Sequence, residues 1–544
     1  MSVQARESAD LAVVIGLEVH VQLETDTKIF CGCSTDLAEA EPNTHTCPVC
    51  LGLPGALPVL NEAAVEAAVK VGKAIDADVP EETRFHRKNY FYPDLPKNFQ
   101  ITQYDEPICQ DGRLEFAVEG ERRTVGIERA HLEEDPGSLR HEGGAIDTAE
   151  YTLVDYNRAG VPLLEIVTEP DFRGAGEVRA FLAKLEEVLE YLGVFDSTRD
   201  GSLRVDANLS VVDADEVGEA DEGETDEVGE ADEGETDEVG EADEGKTDEV
   251  GEADEAETDD GEADEVGEAG AIDRAVLESA NRTEVKNISS HKGAEQALAY
   301  EATRQKNAVS RGRAVAQETR HWDESRGITV SMRSKEAEKD YRYFREADLP
   351  PLRVGNWKEE LSIPELPEAR RERFRSEYGL SEEAASKLTS TKQVADFYED
   401  LAGEFDPDLA ATWVADNLLG ELNYRGLALT DVADRLEEVH RLVELVATDE
   451  ITAKNARETV LRRMLDEGEN PDAVVEAEGL GKTGGEAVRA AVEDAIEENP
   501  EAVEDYEAGE QGALNFLVGQ VMQATGGSAD PGDVNGLLRE ALED

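Results

Sequence analysis

The spacing of apolar residues differs between two parts of this chain, and that difference limits what the chain can fold into. In the first 350 residues the pattern is mixed, and most informative segments alternate apolar and polar side chains, a period of two that is typical of strands. From residue 368 onward the apolar residues recur every three to four positions, as on helices. The change falls at four prolines: Pro350, Pro351, Pro364 and Pro367. The sequence therefore predicts an α+β fold, with a mixed body followed by all-helical domains.

Individual elements can be placed within that division. We expect a strand over Leu11–Leu23 and two amphipathic helices over Ala63–Ile75 and Val178–Leu192. Two further strands are expected over Asn281–Ser289 and Gly327–Arg333. The predicted breaks in the helical part are Gly379, Asn470-Pro471, Gly484-Gly485 and Gly526-Gly527.

An acidic repeat interrupts the body. Between residues 215 and 258 the eleven-residue unit DEVGEADEGET occurs four times with small changes. Such a segment buries too little apolar surface to offset its ordering entropy, so we expect a disordered insertion over 211–270. The domains predicted around it are a body over 1–352, a helical domain over 353–470 and a helical tail over 471–544.

The acidity is not confined to the repeat. The formal charge of the 544 residues is −74; residues 215–268 contribute −28, which leaves −46 for the rest. Lysine is scarce, with 17 against 36 arginines. Excess carboxylate with few lysines suits a protein in molar salt, where the Debye length is about 3 Å. We expect a halophilic protein. With no long apolar run and no leader-like N-terminus, we also expect it to be cytoplasmic, with no membrane and no DNA partner.

Four of the five cysteines lie within twenty residues: Cys31, Cys33, Cys47 and Cys50. Inside a cell such a paired cluster more often binds metal than forms disulfides. Four thiolates satisfy tetrahedral Zn²⁺ and leave no open coordination position, so this zinc would be structural. Reduced structural thiols and a redox pair are the alternatives.

Polar residues recur on one face of several predicted strands. In Leu17–Leu23 the face opposite the leucines and valines carries Glu18, His20 and Gln22. Residues i and i+2 of a strand are about 6.5–7 Å apart, so Glu18 and His20 could share a cation or bind adjacent ones. Two other predicted strands carry further candidates on one face: Arg204 and Asp206 on the first, and Glu284 and Lys286 on the second. Glu133, Glu134 and Asp135 add three consecutive carboxylates beside a Pro-Gly turn.

A sheet face with these side chains suits a polyanion held through Mg²⁺. The alternative is the ordinary solvent face of an antiparallel sheet. A second candidate is the segment Arg87–Gln100, which combines two lysines with four aromatic residues. It could cover a nucleotide or clamp an RNA end by stacking; the alternative is a packed aromatic turn.

These segments resemble one family, the B subunits of the tRNA-dependent aspartyl/glutamyl amidotransferase. The resemblance covers nearly all of the chain outside 211–270. It is carried by IGLEVHVQLETDTKIFCGC, CPVCLGLPGALPVLN, RKNYFYPDLPKNFQITQYDEPI, HLEEDPGS, VDYNRAGVPLLEIVTEPD, GSLRVDANLS, RTEVKNISS and MRSKEAEKDYRYFREADLPPL. It implies a glutamine-synthetase-like antiparallel-sheet catalytic body with a zinc knuckle, and a tail that binds tRNA.

The resemblance also implies a reaction. ATP phosphorylates the side-chain carboxylate of Asp or Glu mischarged on tRNA, and ammonia then displaces the phosphate to form the amide. The implied partners are the amidase (the A subunit), which releases ammonia from glutamine, and a small C subunit, in a heterotrimer. Which of the two mischarged tRNAs is the main substrate stays open.

Several residues match functional positions of the family. Glu18, His20, Glu134 and Glu284 match its Mg²⁺-binding positions, with Glu133 and Asp206 as further ligand candidates. Lys88 and Glu134 match the entrance of its ammonia passage. From their positions on the strand faces, we add Arg204 and Lys286 as candidates for phosphate contacts. Two alternatives remain: the related archaeal subunit specific for glutamyl-tRNA, and a non-catalytic zinc-stabilised tRNA scaffold.

Overall fold

A computed structural model describes residues 11–142, 149–199, 201–214, 282–333, 341–481, 485–507, 510–526, 529 and 531–543. The chain divides into two compact units. Unit 1 comprises Met1–Leu185 and Phe195–Ser362, and unit 2 comprises Glu186–Val194 and Ile363–Asp544. The acidic repeat, and with it most of the predicted insertion, lies outside the described residues. In the described ranges, no helix has the length and apolarity needed to cross a bilayer.

Unit 1 is built on a large mixed sheet with helices. Its strands are β1 Leu11–Gln22, β2 Glu82–Thr83, β3 His86–Asn89, β4 Phe99–Thr102, β5 Cys109–Val118, β6 Glu121–Glu134, β7 Ser138–Glu142, β8 Tyr151–Asp155, β9 Pro162–Thr168, β10 Leu203–Asp213, β11 Thr283–Ile288, β12 Glu318–Asp323, β13 Ile328–Arg333, β14 Phe344–Arg345 and β15 Leu352–Arg353. Its helices are α1 Glu62–Ala74, α2 Ala175–Tyr191, α3 His291–Ser310 and α4 Gly355–Glu360. The last residues of α2 count with unit 2.

Eleven of the described strands form one sheet in the order β13-β12-β11-β10-β1-β9-β6-β4-β3-β14, with β5 paired to β6. Contrary to the expectation of an antiparallel sheet, β11 pairs with β12 in parallel. The reason is the connection: α3 lies between these two strands, and a helical crossover returns the chain in the same direction. The predicted strands and helices of this unit are present, with ends shifted by a few residues.

Two boundaries differ from the sequence prediction. Strand β10 runs to Asp213, so residues 211–213 belong to the sheet and not to the insertion, because Leu11 to Val13 of β1 pair with them. Unit 1 ends at Ser362 and not at residue 352, because β15 pairs with β2 and Lys358 of α4 donates to the carbonyl of Ala77 at 3.2 Å.

Unit 2 is helical throughout its described part, as predicted. Its α-helices are α5 Pro367–Tyr378, α6 Glu382–Leu388, α7 Lys392–Glu404, α8 Pro407–Ala411, α9 Leu419–Arg425, α10 Leu436–Ala447, α11 Ala453–Asn455, α12 Arg462–Glu467, α13 Pro471–Glu478, α14 Gly485–Glu498, α15 Pro500–Glu507, α16 Gln511–Ala524 and α17 Pro531–Glu543. Two π-helical turns, Thr412–Leu418 and Ala456–Leu461, and a 3₁₀ segment, Leu429–Arg435, connect them.

Two hydrophobic cores lie within this unit. The first includes Trp413 and extends to Val474 of α13, while the second runs from Val488 to Leu538. Helix α13 therefore packs with the first core, although the sequence placed the start of the tail at residue 471. Its N-terminus is marked as predicted: the side chain of Asn470 accepts from Asp472 N, and Pro471 follows at the first helical position.

Candidate active site

Strand β1 lies inside the sheet and carries the centre of the candidate site. Leu17, Val19 and Val21 are fully buried on one face, while Glu18 and His20 are half-buried on the other, which confirms the predicted alternation. Strands β10 and β9 flank β1 in antiparallel register. Side chains at matching positions of the three strands therefore share one face.

Three carboxylates meet in what we call the triacid cluster: Glu18, Asp206 and Glu284. Glu18 lies opposite Asp206, and Asn208, two residues along β10, lies opposite Glu284. One oxygen of each acid lies within 4.8 Å of the others. Lys286 Nζ lies 2.5 Å from Asp206 Oδ2 and 3.0 Å from Glu284 Oε1. Lys286 thus pairs with two of the three acids.

A second group, the histidine cluster, consists of His20, Glu133 and Glu165. His20 Nε2 lies 3.4 Å from Glu165 Oε2 and 3.7 Å from Glu133 Oε1. His131 reaches Glu165 Oε2 at 3.3 Å from the same strand as Glu133. The three members again offer ligand atoms within 4.8 Å of one another.

Sequence reasoning missed Glu165 and the contact of His131 with it. The missing signal is in strand β9, Pro162–Thr168, where Glu165 is the single charged residue and every position is buried. A carboxylate within such a strand needs charged or hydrogen-bonding partners, because burying it alone is expensive. Glu165 should therefore have been a candidate ligand.

The electrostatics confirm that like charges are crowded on this face. Burial, and then repulsion from Glu165, raise the pKa values of both Glu18 and Glu133 above their usual range. Burial opposes charge on His20, but the carboxylates of Glu165 and Glu133 outweigh it and raise its pKa to about 9. Glu165 is also buried, yet His131 and His20 hold its pKa well below the usual value. Burial and neighbouring acids therefore disfavour the charged forms of Glu18 and Glu133 on this face.

Lys88 of β3 lies within reach of these charges. Burial works against its ammonium, but neighbouring acidic groups, including Tyr343, Glu133 and Glu165, raise its pKa above the usual value. Its Nζ lies 5.1 Å from the ring centroid of Tyr341. Tyr104 and Tyr343 stack in parallel at 4.0 Å between centroids. The segment Arg87–Gln100 runs from β3 through a turn into β4, so its ends are strands and not loop.

Glu134 does not join the other predicted ligands. It follows Glu133 directly in β6, and successive side chains of a strand point to opposite faces. Its Oε1 accepts from the backbone N–H of Ile101 at 2.8 Å, and its Oε2 forms an ion pair with Lys97. It lines a cavity of ≈ 140 Å³ whose wall also includes Cys50 and Glu346. The structure therefore brings Glu133, and not Glu134, together with His20.

The two cations proposed for phosphate contacts have different neighbours. Arg204 lies opposite His20 on β10, and its Nη2 donates to Asp135 Oδ1 at 2.8 Å. Asp135 is buried and also accepts from Gln22 Nε2 at 2.8 Å. Lys286, in contrast, belongs to the triacid cluster.

The four clustered cysteines converge as the spacing predicted. Cys31, Cys33, Cys47 and Cys50 bring their sulfur atoms within 4.8 Å of one another, and the Sγ atoms of Cys47 and Cys50 are 3.8 Å apart. A hydrogen bond from the Cys31 thiol, opposed by burial, lowers the pKa of Cys50 to about 5. The cluster could hold one metal ion.

The chain is similar to known proteins over its whole length. Residues 13–232 and 272–359 match the family described as the GatB/GatE catalytic domain, and residues 396–542 match the family described as the GatB domain.

Three similar proteins are named as the B subunit of an aspartyl/glutamyl-tRNA(Asn/Gln) amidotransferase. The protein of Natronomonas pharaonis is 71% identical over 544 residues, covering 100% of both chains. That of Haloarcula marismortui is 69% identical over 553 residues, with 100% of both covered. That of Methanospirillum hungatei is 48% identical over 540 residues, covering 98% of this chain and 99% of the relative. The chain therefore belongs to the family of aspartyl/glutamyl-tRNA(Asn/Gln) amidotransferase B subunits.

Proposed function

We propose that this protein uses ATP to phosphorylate the side-chain carboxylate of Asp or Glu mischarged on tRNA, and that ammonia then displaces the phosphate to give the amide. One observation carries the proposal. Two groups of cation ligands lie on one sheet face, joined through Glu18 and His20 of a single strand. The names of the relatives give the tRNA substrates and the amide product class.

The ligands fit divalent cations, and we propose Mg²⁺. Hard cations prefer carboxylate oxygens, which the triacid cluster supplies from three residues. Asn208 Nδ2 donates to Glu18 Oε1 at 3.0 Å, while its Oδ1 is buried with no hydrogen-bond partner among the described residues. An unpaired acceptor beside three acids suits a cation or its bound water. When bound, Mg²⁺ would neutralise phosphate charge and so favour phosphoryl transfer.

The remaining cations of the site handle the anionic substrate. Arg204 donates one N–H to Asp135, and this hydrogen bond orients the guanidinium group. Its other N–H groups can then donate to phosphate oxygens. Lys286 contacts two acids and can exchange one of them for a phosphate oxygen. A carboxylate is a poor electrophile, and phosphorylation supplies the leaving group that amide formation needs.

We propose that ammonia reaches the acyl phosphate near Lys88. At neutral pH Lys88 is protonated, since its pKa is raised, and its charge repels ammonium while admitting neutral ammonia. We propose an amidase, the A subunit, as the ammonia source and a small C subunit as the third member of a heterotrimer. The cavity with Glu134 and Lys97, on the other face of the sheet, is our candidate for an earlier part of this route.

We further propose that the tail of unit 2, built on its own core, binds tRNA. The formal net charge of the chain is −74, so we do not expect tRNA binding to rest on a broadly basic surface. We propose that the tail recognises the shape of the tRNA, in salt concentrated enough to screen the repulsion between the two negative charges. This fits the halophilic host and the cytoplasmic location that we propose.

For the cysteine cluster we propose structural zinc. Tetrahedral Zn–S bonds of ~2.3 Å place sulfur atoms roughly 3.8 Å apart. The Cys47–Cys50 separation of 3.8 Å matches this. Elemental analysis should find one zinc per chain in the purified protein and none after Cys33→Ser and Cys47→Ser are combined. Less than half an equivalent in the unsubstituted protein would contradict the site.

The reconstituted complex tests the function directly. With ATP, Mg²⁺ and either glutamine or free ammonia, the intact enzyme should amidate mischarged Asp-tRNA(Asn), Glu-tRNA(Gln) or both, which also identifies the main substrate. Glu18→Gln and His20→Ala should abolish amidation and leave tRNA binding unchanged. Unchanged turnover in both variants would contradict the proposed active site and favour a non-catalytic tRNA scaffold.

A further inference from the structure

Thr319 contacts one of the proposed cation ligands from a strand outside both clusters. In the parallel pairing of β11 with β12, Thr319 lies directly opposite Glu284. Its Oγ1 donates to Glu284 Oε2 at 3.0 Å, and both residues are 7% exposed. A hydroxyl has a single proton to donate, and here that proton points to the carboxylate.

Two donors to Glu284, Lys286 and Thr319, would respond differently to a cation. Lys286 Nζ approaches Oε1 as a positive charge, so it competes with a divalent cation for the same oxygen. Thr319 is neutral and binds the other oxygen, Oε2. Its hydrogen bond can therefore persist while a cation takes the place of Lys286. In that state Thr319 keeps the carboxylate from rotating away.

The strand that carries Thr319 is itself firmly held. The pairing of β12 with β13 shifts register between Thr319 and Arg320, a bulge that re-aims the side chains beside it. Arg320 donates from Nη2 to the carbonyl of Thr329 and from Nε to its hydroxyl, both at 2.8 Å. Thr329 Oγ1 in turn donates at 2.9 Å to Glu301 of α3, which is 0% exposed. This buried network fixes the backbone from which Thr319 reaches Glu284.

We propose that Thr319 is a positioning residue that orients the Glu284 carboxylate for a divalent cation through one neutral hydrogen bond. The inference rests on the proposed function, because it assumes that the triacid cluster binds the cation. Groups that orient a metal ligand without touching the metal typically change metal affinity by about 10–100-fold. The loss expected here is near the lower end, about tenfold, since Thr319 supplies one hydrogen bond to one of three ligands.

The test is Mn²⁺ binding to the full-length chain in high salt, measured by the electron paramagnetic resonance signal of free Mn²⁺. Thr319→Val keeps the side-chain shape and removes the hydroxyl, and should weaken Mn²⁺ binding about tenfold at one site. Thr319→Ser keeps the donor and should bind as the unsubstituted chain does. In the amidation assay, Thr319→Val should need more Mg²⁺ for half-maximal rate, with little change in kcat at saturation.

Two controls separate the possible failures. Thr83→Val removes another fully buried hydroxyl of unit 1, one bonded to Glu106 O and Gln103 Nε2, and should leave Mn²⁺ affinity unchanged. Glu284→Gln should lose the site. If Glu284→Gln binds Mn²⁺ normally, the proposed cation site is wrong. If it loses the site while Thr319→Val binds normally, or if Thr83→Val weakens binding equally, the positioning role alone is overturned.

Discussion

Glu133 and Glu134 are neighbours in strand β6, yet they lie in opposite electrostatic surroundings. Glu133 faces other acids on the cluster side of the sheet, and the pKa of its carboxyl group is raised. Glu134 faces the cavity on the other side, where Lys97 pairs with it. In the same cavity, Arg87 holds Glu346 through two hydrogen bonds, of 2.6 and 2.7 Å. On the cavity side these acids pair with cations, whereas on the cluster side burial and repulsion from Glu165 disfavour the charge of Glu133.

We propose that this difference separates a structural ion pair from a cation-binding site. Crowded like charges cost a folded chain stability, and a bound cation would offset that cost on the cluster side. On the cavity side each described acid already has its cation, and the pairs stabilise the local fold. Burial of an acid is therefore a poor guide to function by itself. Burial of an acid beside other acids is a better guide.

The largest effect should come from removing the charge of Glu133. Glu133→Gln should lower the amidation rate by about 1,000-fold, since a group that organises developing phosphate charge typically accounts for about 10²–10³ in kcat. The matched Glu134→Gln changes the neighbouring carboxylate in the same way. Because Glu134 lines the proposed ammonia route, both variants are compared with free ammonia as the nitrogen source, and there Glu134→Gln should lower kcat far less. Steady-state amidation at saturating ATP and Mg²⁺ measures both. Equal losses in the two variants would break the contrast between the faces.

Stability should respond in the reverse order. Glu134→Gln leaves Lys97 buried without its carboxylate and should reduce the free energy of unfolding by about 3 kcal/mol, near the lower end for breaking a buried pair. Glu133→Gln relieves repulsion in the metal-free chain and should leave stability unchanged or raise it. Urea unfolding in the presence of a chelator provides the comparison. A larger loss for Glu133→Gln would show that the cluster side is a structural network.

The smallest effect should be on the pH dependence of stability, to which Glu346 and Glu133 should contribute with opposite signs. Arg87 holds the pKa of Glu346 below its usual value despite burial, so its stabilising contribution is present above about pH 4.5 and is lost as the pH falls through the folded-state pKa. The pKa of Glu133 is raised, so its ionised form destabilises the fold, and acidification through that pKa relieves the strain.

Comparing the free energies of unfolding of Glu346→Gln and Glu133→Gln with that of the unsubstituted metal-free chain between about pH 2 and 7 tests this. At neutral pH, Glu346→Gln should be less stable than the unsubstituted chain, and this difference should shrink on acidification, because protonated Glu346 no longer stabilises the fold. Glu133→Gln should instead be at least as stable as the unsubstituted chain at neutral pH, and its advantage should shrink as Glu133 becomes protonated. Two gaps of the same sign would remove the electrostatic distinction.

Much of the site could be predicted from the alternation of single strands. Glu18, His20, Asp206 and Glu284 were assigned to polar strand faces from the sequence, and the structure brings them onto one face of the sheet. The sequence could not separate Glu133 from Glu134, because three consecutive acids fit either face, and a one-residue shift of register moves every side chain to the opposite face. Glu165 was missed because its strand is buried on both faces and shows no alternation.

The sequence alone determined the local periods, the helical C-terminal region, the grouping of four cysteines and the polar face of each strand, because these depend on residues close together in the chain. The tertiary structure decided which strands lie side by side, that β11 and β12 run in parallel, and that Thr319 meets Glu284. Those pairings join residues tens to hundreds of positions apart. They are set by how the whole sheet buries its apolar face, which no single segment encodes.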